Sequence, residues 1–158
     1  MTETATDPIR KSITVPLDRA TAFDLFTKDI DKWWPKDSHS LTASAGKGTA
    51  SNVRLEPKKG GRVIETKPDG TEADWATITA WNPGEHFAMR WYVGRSPDEA
   101  TLVDIRFTQT EAGTRVDLTH SGFDVLGAAA DTTCAGYTTG WDHVFGRCYR
   151  GACDKVAA

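Results

Sequence analysis

The amino-acid sequence predicts an α+β fold in which a curved seven-stranded antiparallel sheet wraps a long C-terminal helix. Two observations carry that expectation. Between residues 52 and 121 the chain runs through segments of alternating apolar and polar residues separated by short turns, the pattern of an antiparallel meander. Over Asp131–Cys153 the period changes. Cys134, Tyr137, Trp141, Val144, Phe145 and Cys148 recur at steps of three and four, on one face of an α-helix.

In chain order, Ile9–Pro16 sets Ile9, Lys11, Ile13 and Val15 against Arg10, Ser12 and Thr14 and suits a first strand. Asp18 is placed to cap a helix over Arg19–Lys28, whose Ala22, Phe23, Leu25 and Phe26 form an apolar face. A second helical turn, Ile30–Trp34, is stopped by Pro35. Lys36–Ser51 is small and polar and reads as a loop, long enough for a mobile flap or the rim of a mouth. Six strands are expected next. Asn52–Glu56 puts Val53 and Leu55 on one face, and Arg62–Lys67 lies between the turns Lys59-Gly60-Gly61 and Pro68-Asp69-Gly70. Glu72–Trp81 alternates Trp75, Thr77, Thr79 and Trp81 against Asp74, Ala76, Ile78 and Ala80. Asn82-Pro83-Gly84 turns the chain into His86–Val93, with Phe87, Met89, Trp91 and Val93 together. Thr101–Gln109 aligns Val103, Ile105 and Phe107, and Glu111-Ala112-Gly113 leads into Thr114–Ser121, which aligns Val116, Leu118 and His120. The final helix takes Asp131 as N-cap and has Arg147, Arg150 and Lys155 at the negative end of its dipole. Gly136, Gly140, Gly146 and Gly151 each oppose it by up to about 1 kcal/mol. Either packing overrides them or the helix lets something approach closely.

The 158 residues suit one domain, expected over residues 9–153 behind a flexible leader of residues 1–8. A net charge of −3, with no basic cluster beyond Arg10-Lys11 and Lys58-Lys59, argues against nucleic acid. The N-terminal MTETATDP lacks the basic and apolar regions of a secretory signal, and no apolar run is long enough for a bilayer, so no membrane partner is expected. All three cysteines fall in the final helix, where Cys134 and Cys148 read as small core residues. A cytoplasmic location follows rather than a disulfide framework. His39, His86, His120 and His143 form no metal spacing, and no glycine-rich phosphate loop precedes a helix. The expectation is no metal and no cofactor.

An inward face rich in aromatics with isolated polar groups describes a small-molecule pocket. Trp34, Trp75, Trp81, Trp91 and Trp141, with Met89 among them, are either its wall or plain core. Tyr137 either points its hydroxyl at a ligand or reaches solvent. His120, in register with Val116 and Leu118, either meets a ligand and moves protons or is a core histidine satisfied by a backbone carbonyl or Ser121. His39, in the loop, either reaches the cavity mouth or forms a turn. Glu65 shares a face with Val63 and needs a partner, for which Arg62, Arg90 and Arg106 are available; Asp74 reads as half of an ion pair.

Several of these residues also form a series. Trp33-Trp34-Pro35 and His39-Ser40 precede Glu56-Pro57, Gly60-Gly61-Arg62 and Glu65; Asp69-Gly70, Asp74-Trp75, Trp81-Asn82-Pro83 and Trp91 follow. Gly113-Thr114-Arg115, His120-Ser121-Gly122-Phe123, Tyr137 and Gly140-Trp141 complete it. From about Ile9 to Arg150 this series resembles the START-like, birch-pollen-allergen-like (SRPBCC) superfamily, in the subgroup named after the heat-shock chaperone ATPase activator. Ala76 and Phe123 stand where members often have Gly and Trp. The resemblance implies a helix-grip fold with a cavity between sheet and helix. It implies, first, binding of a small hydrophobic molecule, aromatic or lipid-like. A second implied reading is a cyclase- or dehydratase-like enzyme for a polyketide-like substrate, with His120 as general base, Glu65 as orienting carboxylate and Tyr137 as proton donor. A third, from the subgroup's name, is a module that docks on a chaperone or another protein, as monomer or homodimer.

Overall fold

A computed structural model describes residues 7–157; of the leader expected over residues 1–8, all but Asp7 and Pro8 lie outside them. The seven strands are β1 (Ile9–Val15), β2 (Asn52–Leu55), β3 (Arg62–Thr66), β4 (Glu72–Asn82), β5 (His86–Trp91), β6 (Thr101–Thr110) and β7 (Gly113–Ser121). They pair antiparallel in the order β1-β7-β6-β5-β4-β3-β2, so only the first strand leaves sequence order to close against the last. Helix α1 (Arg19–Phe26) and a 3-10 turn (Ile30–Lys32) follow β1, and the long C-terminal helical run crosses the concave face. This is the α+β helix-grip arrangement. Among the described residues no helix is long and apolar enough to cross a membrane.

Three departures from the expected elements matter for the site. The first is in β4, where pairing slips between Val63 and Ile64 of β3 and again between Ile78 and Ala80. Trp75 and Thr79 are the extra residues of these β-bulges, which bend and twist the strand. Trp75, Ala76 and Ile78 are all buried as a result, whereas Thr79 is exposed and Thr77 half-buried. Strict alternation had placed Ala76 and Ile78 outward.

The second departure is the expected loop, Lys36–Ser51. It contains a one-turn helix, α2 (Leu41–Ser44), capped by Ser40, whose Oγ accepts the Ala43 amide at 3.0 Å. The third is the C-terminal run. A 3-10 segment, Phe123–Ala129, bends at Gly127 (φ 58°) into α3 (Ala130–His143). A π-helical segment, Val144–Tyr149, then leads to α4 (Arg150–Ala157). Ala129, not Asp131, is the N-cap, and Asp131 lies in the first turn. The π turn shifts the buried face by a residue. Tyr149 and Cys153 enter the core, while Cys134 and Cys148, expected there, are half-buried.

The core is lopsided. At one end α1 drives Phe23 and Phe26 into the sheet, edge-on to Phe87 and Phe107 at ring-centroid distances of 5.2–6.2 Å. Tyr149 closes on Phe26 at 4.7 Å and donates its hydroxyl to the Ala22 carbonyl at 2.7 Å. That end is solid. Large indoles occupy the other end, and there the packing leaves a space.

Candidate functional site

The space is a cleft of about 200 Å³ between the bulged half of the sheet, the α2 segment and the face of α3. Trp34, Trp75, Trp91 and Trp141 form its walls with Val93 and Val144. Ser38, His39, Ser40 and Ser44 line it from the α2 segment, and Tyr137 and Gly140 from α3. The indoles pack on one another at centroid distances of 5.1–6.2 Å: Trp34 on Trp75, Trp91 and Trp141, and Trp91 on Trp141.

Each indole N–H is already used. Trp34 Nε1 donates to the His39 carbonyl at 2.7 Å and Trp75 Nε1 to Glu65 Oε1 at 3.0 Å. Trp141 Nε1 donates to His120 Nδ1 at 2.9 Å, and Trp91 Nε1 to the Tyr137 hydroxyl oxygen at 3.1 Å. The rings therefore offer a guest their carbon surfaces rather than their polar edges. A wall of four tryptophans becomes apolar through its own hydrogen bonds.

Tyr137 is the exception to that closure. Because an indole N–H can only donate, the tyrosine oxygen accepts. Among the described residues the Tyr137 hydroxyl proton has no other acceptor, and Tyr137 lines the cleft. Burial raises the Tyr137 pKa, against smaller opposite effects of the Trp91 bond and Arg95, so the phenol stays protonated at neutral pH.

Glu65 and His120 stand behind the wall. Glu65 is fully buried, and no arginine reaches it; Arg62, one expected partner, pairs instead with Glu56 and Asp74. Its Oε1 accepts the Leu41 amide at 2.7 Å and the Trp75 indole. Its Oε2 accepts the Thr42 amide at 2.9 Å and the Thr42 hydroxyl at 2.5 Å. Burial would raise this carboxyl's pKa, but the donors from Thr42, Leu41 and Trp75 outweigh it and hold the group below its ordinary value. A buried carboxylate thus ties the one-turn helix to the sheet. The stretch expected to be a mobile flap is anchored there.

His120 is fully buried. Nδ1 takes the Trp141 N–H, so the ring is the Nε2–H tautomer, which donates to Thr101 Oγ1 at 2.7 Å. Thr101 Oγ1 in turn donates to the Trp91 carbonyl at 3.2 Å. Burial pushes the His120 pKa down to about 3. It does not line the cleft, and both of its nitrogens are bonded. A general-base role for His120 does not fit this geometry, and neither Ser121 nor a backbone carbonyl is its partner.

Met89, also expected to meet a ligand, is a core residue of β5 that does not reach the cleft, and Trp81 packs against Phe23 at 5.1 Å. Asp74 pairs with Arg62 at 3.3 Å. Ala76 and Phe123, the two departures from the family pattern, do not line the cleft either; Phe123 packs on His120 at 4.6 Å. Of the expected ligand residues, the fold brings Trp34, His39, Trp75, Trp91, Tyr137 and Trp141 together. Ser38, Ser40, Ser44, Val93, Gly140 and Val144 join them. The glycines of the final helix were the signal for Gly140, whose Cβ position is open to within 4.0 Å of the His39 ring.

His39 is the second polar group of the cleft. Its Nδ1 lies 2.8 Å from Ser38 Oγ, and its ring stacks on that of His143 in α3 at 5.1 Å and 25°. Burial, then the neighbouring His143, lowers its pKa against the pull of Asp37. Among the described residues no three His, Cys, Asp or Glu groups are placed to hold a metal ion.

Residues 16–147 match the model of the family described as "Activator of Hsp90 ATPase homolog 1-like protein". No curated protein matches the chain. Among solved structures, it is similar to CalC from Micromonospora echinospora, described as a self-sacrificing resistance protein. That match has 25% identity and a TM-score of 0.67 over 96% of each chain. It is also similar to the anthrahydroquino-γ-pyrone synthase Txn09, solved in complex with SUM, with 31% identity and a TM-score of 0.58 over 81% of this chain and 84% of that one. An AHSA1-like protein from Aeromonas hydrophila shares the fold at 17% identity and a TM-score of 0.62, over 91% of this chain and 90% of that one.

Proposed function

The chain belongs to the Activator of Hsp90 ATPase homolog 1-like family, and we propose that within it this protein binds a small aromatic carbonyl compound in the cleft between sheet and helix. The carrying observation is a cavity whose indole N–H groups are all occupied while the hydroxyl proton of Tyr137, a lining residue, has no acceptor among the described residues. Such a wall favours a flat apolar molecule, and such a donor favours one with an acceptor oxygen on its edge. The name of one structural relative, an anthrahydroquino-γ-pyrone synthase, points to the same class of oxygenated aromatic rings. The size of the cleft, about 200 Å³, limits the guest. An apolar cavity of about 150 Å³ holds benzene, so two fused rings suit this one.

At about 0.5 kcal/mol per non-hydrogen atom, an eleven-atom ketone such as 2-tetralone would bind with a Kd on the order of 100 µM. The test is a tryptophan-fluorescence titration with 2-tetralone, 4-chromanone and naphthalene. The two ketones should quench saturably. Tyr137→Phe should weaken them about 3- to 10-fold, the worth of one neutral hydrogen bond, and should leave naphthalene unchanged. If no member of the panel saturates by about ten times that Kd, the binding reading fails.

A further inference from the structure

We infer that His39 and Tyr137 form an acid–base pair that moves a proton alpha to the carbonyl of the bound guest, making the cleft a catalyst of enolisation as well as a binding site. The inference rests on the binding reading and goes beyond it. Both side chains line one cavity, and each is held by a neighbour. The Ser38 hydroxyl at Nδ1 and the stacked ring of His143 fix the imidazole. That leaves Nε2 beside α3, 4.0 Å from where a Cβ on Gly140 would stand. The Trp91 indole fixes the Tyr137 oxygen, so its proton has one direction left. Gly140 lies three residues after Tyr137, one turn along the same helix, so the His39 ring packs on the turn next to the one that carries Tyr137, and both residues line the cleft.

The step balances within the guest. In the tautomer with Nδ1 protonated and donating to Ser38 Oγ, Nε2 of neutral His39 takes a proton from the carbon beside the carbonyl, and the C–H electron pair becomes the new C=C bond as the C=O pair moves onto oxygen. Tyr137 donates its hydrogen bond to that oxygen as it gains charge. Imidazolium then returns the proton to carbon or to oxygen, giving ketone or enol with no net change in the protein. His39 suits a base at neutral pH because burial and His143 both disfavour its charged form. The titratable groups around it are Asp37 on its own segment and His143 on the helix, with Cys148 Sγ 3.6 Å behind His143. Ser38 and His143 are positioning residues in this scheme.

The test follows deuterium exchange at the benzylic position of 2-tetralone in D2O by proton NMR, beside the fluorescence titration. The wild-type chain should speed exchange well above buffer, with an acidic limb lying below pH 6.5, the ordinary imidazole value. His39→Gln should keep its affinity within about threefold and lose at least tenfold of the acceleration. His143→Gln should lose part of the acceleration at pH 8, because the stacked ring that holds the imidazole is gone, and should move the acidic limb upward, because a neighbouring positive charge is gone with it; a merely structural role would not move the limb. Wild-type binding without exchange above buffer, or His39→Gln exchanging like wild type, overturns this inference and leaves the binding reading standing. Failure of 2-tetralone to quench overturns both.

Discussion

Replacing Gly140 by alanine separates what the C-terminal helix does for stability from what it does for the cleft. Gly140 lies inside α3 with ordinary helical geometry, so the usual gain of a helical Gly→Ala change applies, about 0.5–1 kcal/mol. The new Cβ would lie 4.0 Å from Cδ2 and Nε2 of His39, an ordinary contact that demands no movement. In a chain of this size the gain corresponds to a rise in Tm of about 1–4 °C. The same methyl stands in the wall of a cavity of only about 200 Å³. Overfilling a packed site costs about 1–3 kcal/mol, which is a loss of roughly 5- to 150-fold in affinity for a two-ring ketone. Gly136, one turn earlier and exposed, has nothing within 4 Å of its Cβ position. Gly136→Ala should therefore stabilise by a similar amount and leave binding alone. Thermal melts and fluorescence titrations of the two variants decide the matter. If both bind 2-tetralone like wild type while both melt higher, the guest does not sit where the cleft is, and the assignment of the site is wrong.

Two further outcomes follow from the groups behind the wall. Glu65→Gln keeps the shape but turns one carboxylate oxygen into an amide that must face two donors, either Leu41 and Trp75 or the amide and hydroxyl of Thr42. A loss of about 2–4 kcal/mol in urea unfolding is expected, with faster amide exchange at Leu41 and Thr42; a loss under about 0.5 kcal/mol would refute the anchor. Because the folded pKa of Glu65 is lowered, its contribution is complete above the unfolded value near 4.5 and is lost as pH falls below that. His120, held neutral with a pKa of about 3, is likewise depressed in the folded state. The unfolded chain takes up its proton from pH 6.5 downward, so wild-type stability should fall by up to about 1.4 kcal/mol per pH unit between 6.5 and 3 from this residue. His120→Gln should be less stable at pH 7 yet show a shallower decline over pH 4–6.5; an equal slope in both proteins would refute the buried neutral ring.

Period and turn chemistry carried most of the architecture, because each strand from Asn52 to Ser121 ends in a local signal such as Asn82-Pro83-Gly84 and buries one face. What local periodicity could not carry was slippage. The bulges at Trp75 and Thr79 add a residue to β4 without any change in composition, and they reverse the inward set between Trp75 and Trp81. The π segment does the same on the helix, exchanging Cys148 for Tyr149. In the site, large aromatic residues were legible as lining because an indole on an inward face has few other places to go. Glu65 and His120 were legible as buried but not as paired, since their partners lie far away in sequence: Leu41 and Thr42 for Glu65, Thr101 and Trp141 for His120. Local sequence offers Glu65 an arginine, Arg62, as partner. The structure uses the amide end of a one-turn helix, a feature with no signature in a polar loop beyond Ser40 as cap.

The pairing of those two groups changes what they contribute. Each accepts from an indole that lines the cleft, Glu65 from Trp75 and His120 from Trp141. Remove either acceptor and an indole N–H is left buried with no partner, at a cost of about 1–3 kcal/mol, unless the ring turns its polar edge toward the space in front of it. The wall would then be polar where it is now apolar. A carboxylate and an imidazole that never touch the guest in this reading thus set the chemical character of the surface the guest meets. It follows that His120→Phe and Glu65→Leu should weaken naphthalene, which has no use for a donor, more than they weaken 2-tetralone. A general base and an orienting carboxylate acting on the carbonyl would give the reverse order.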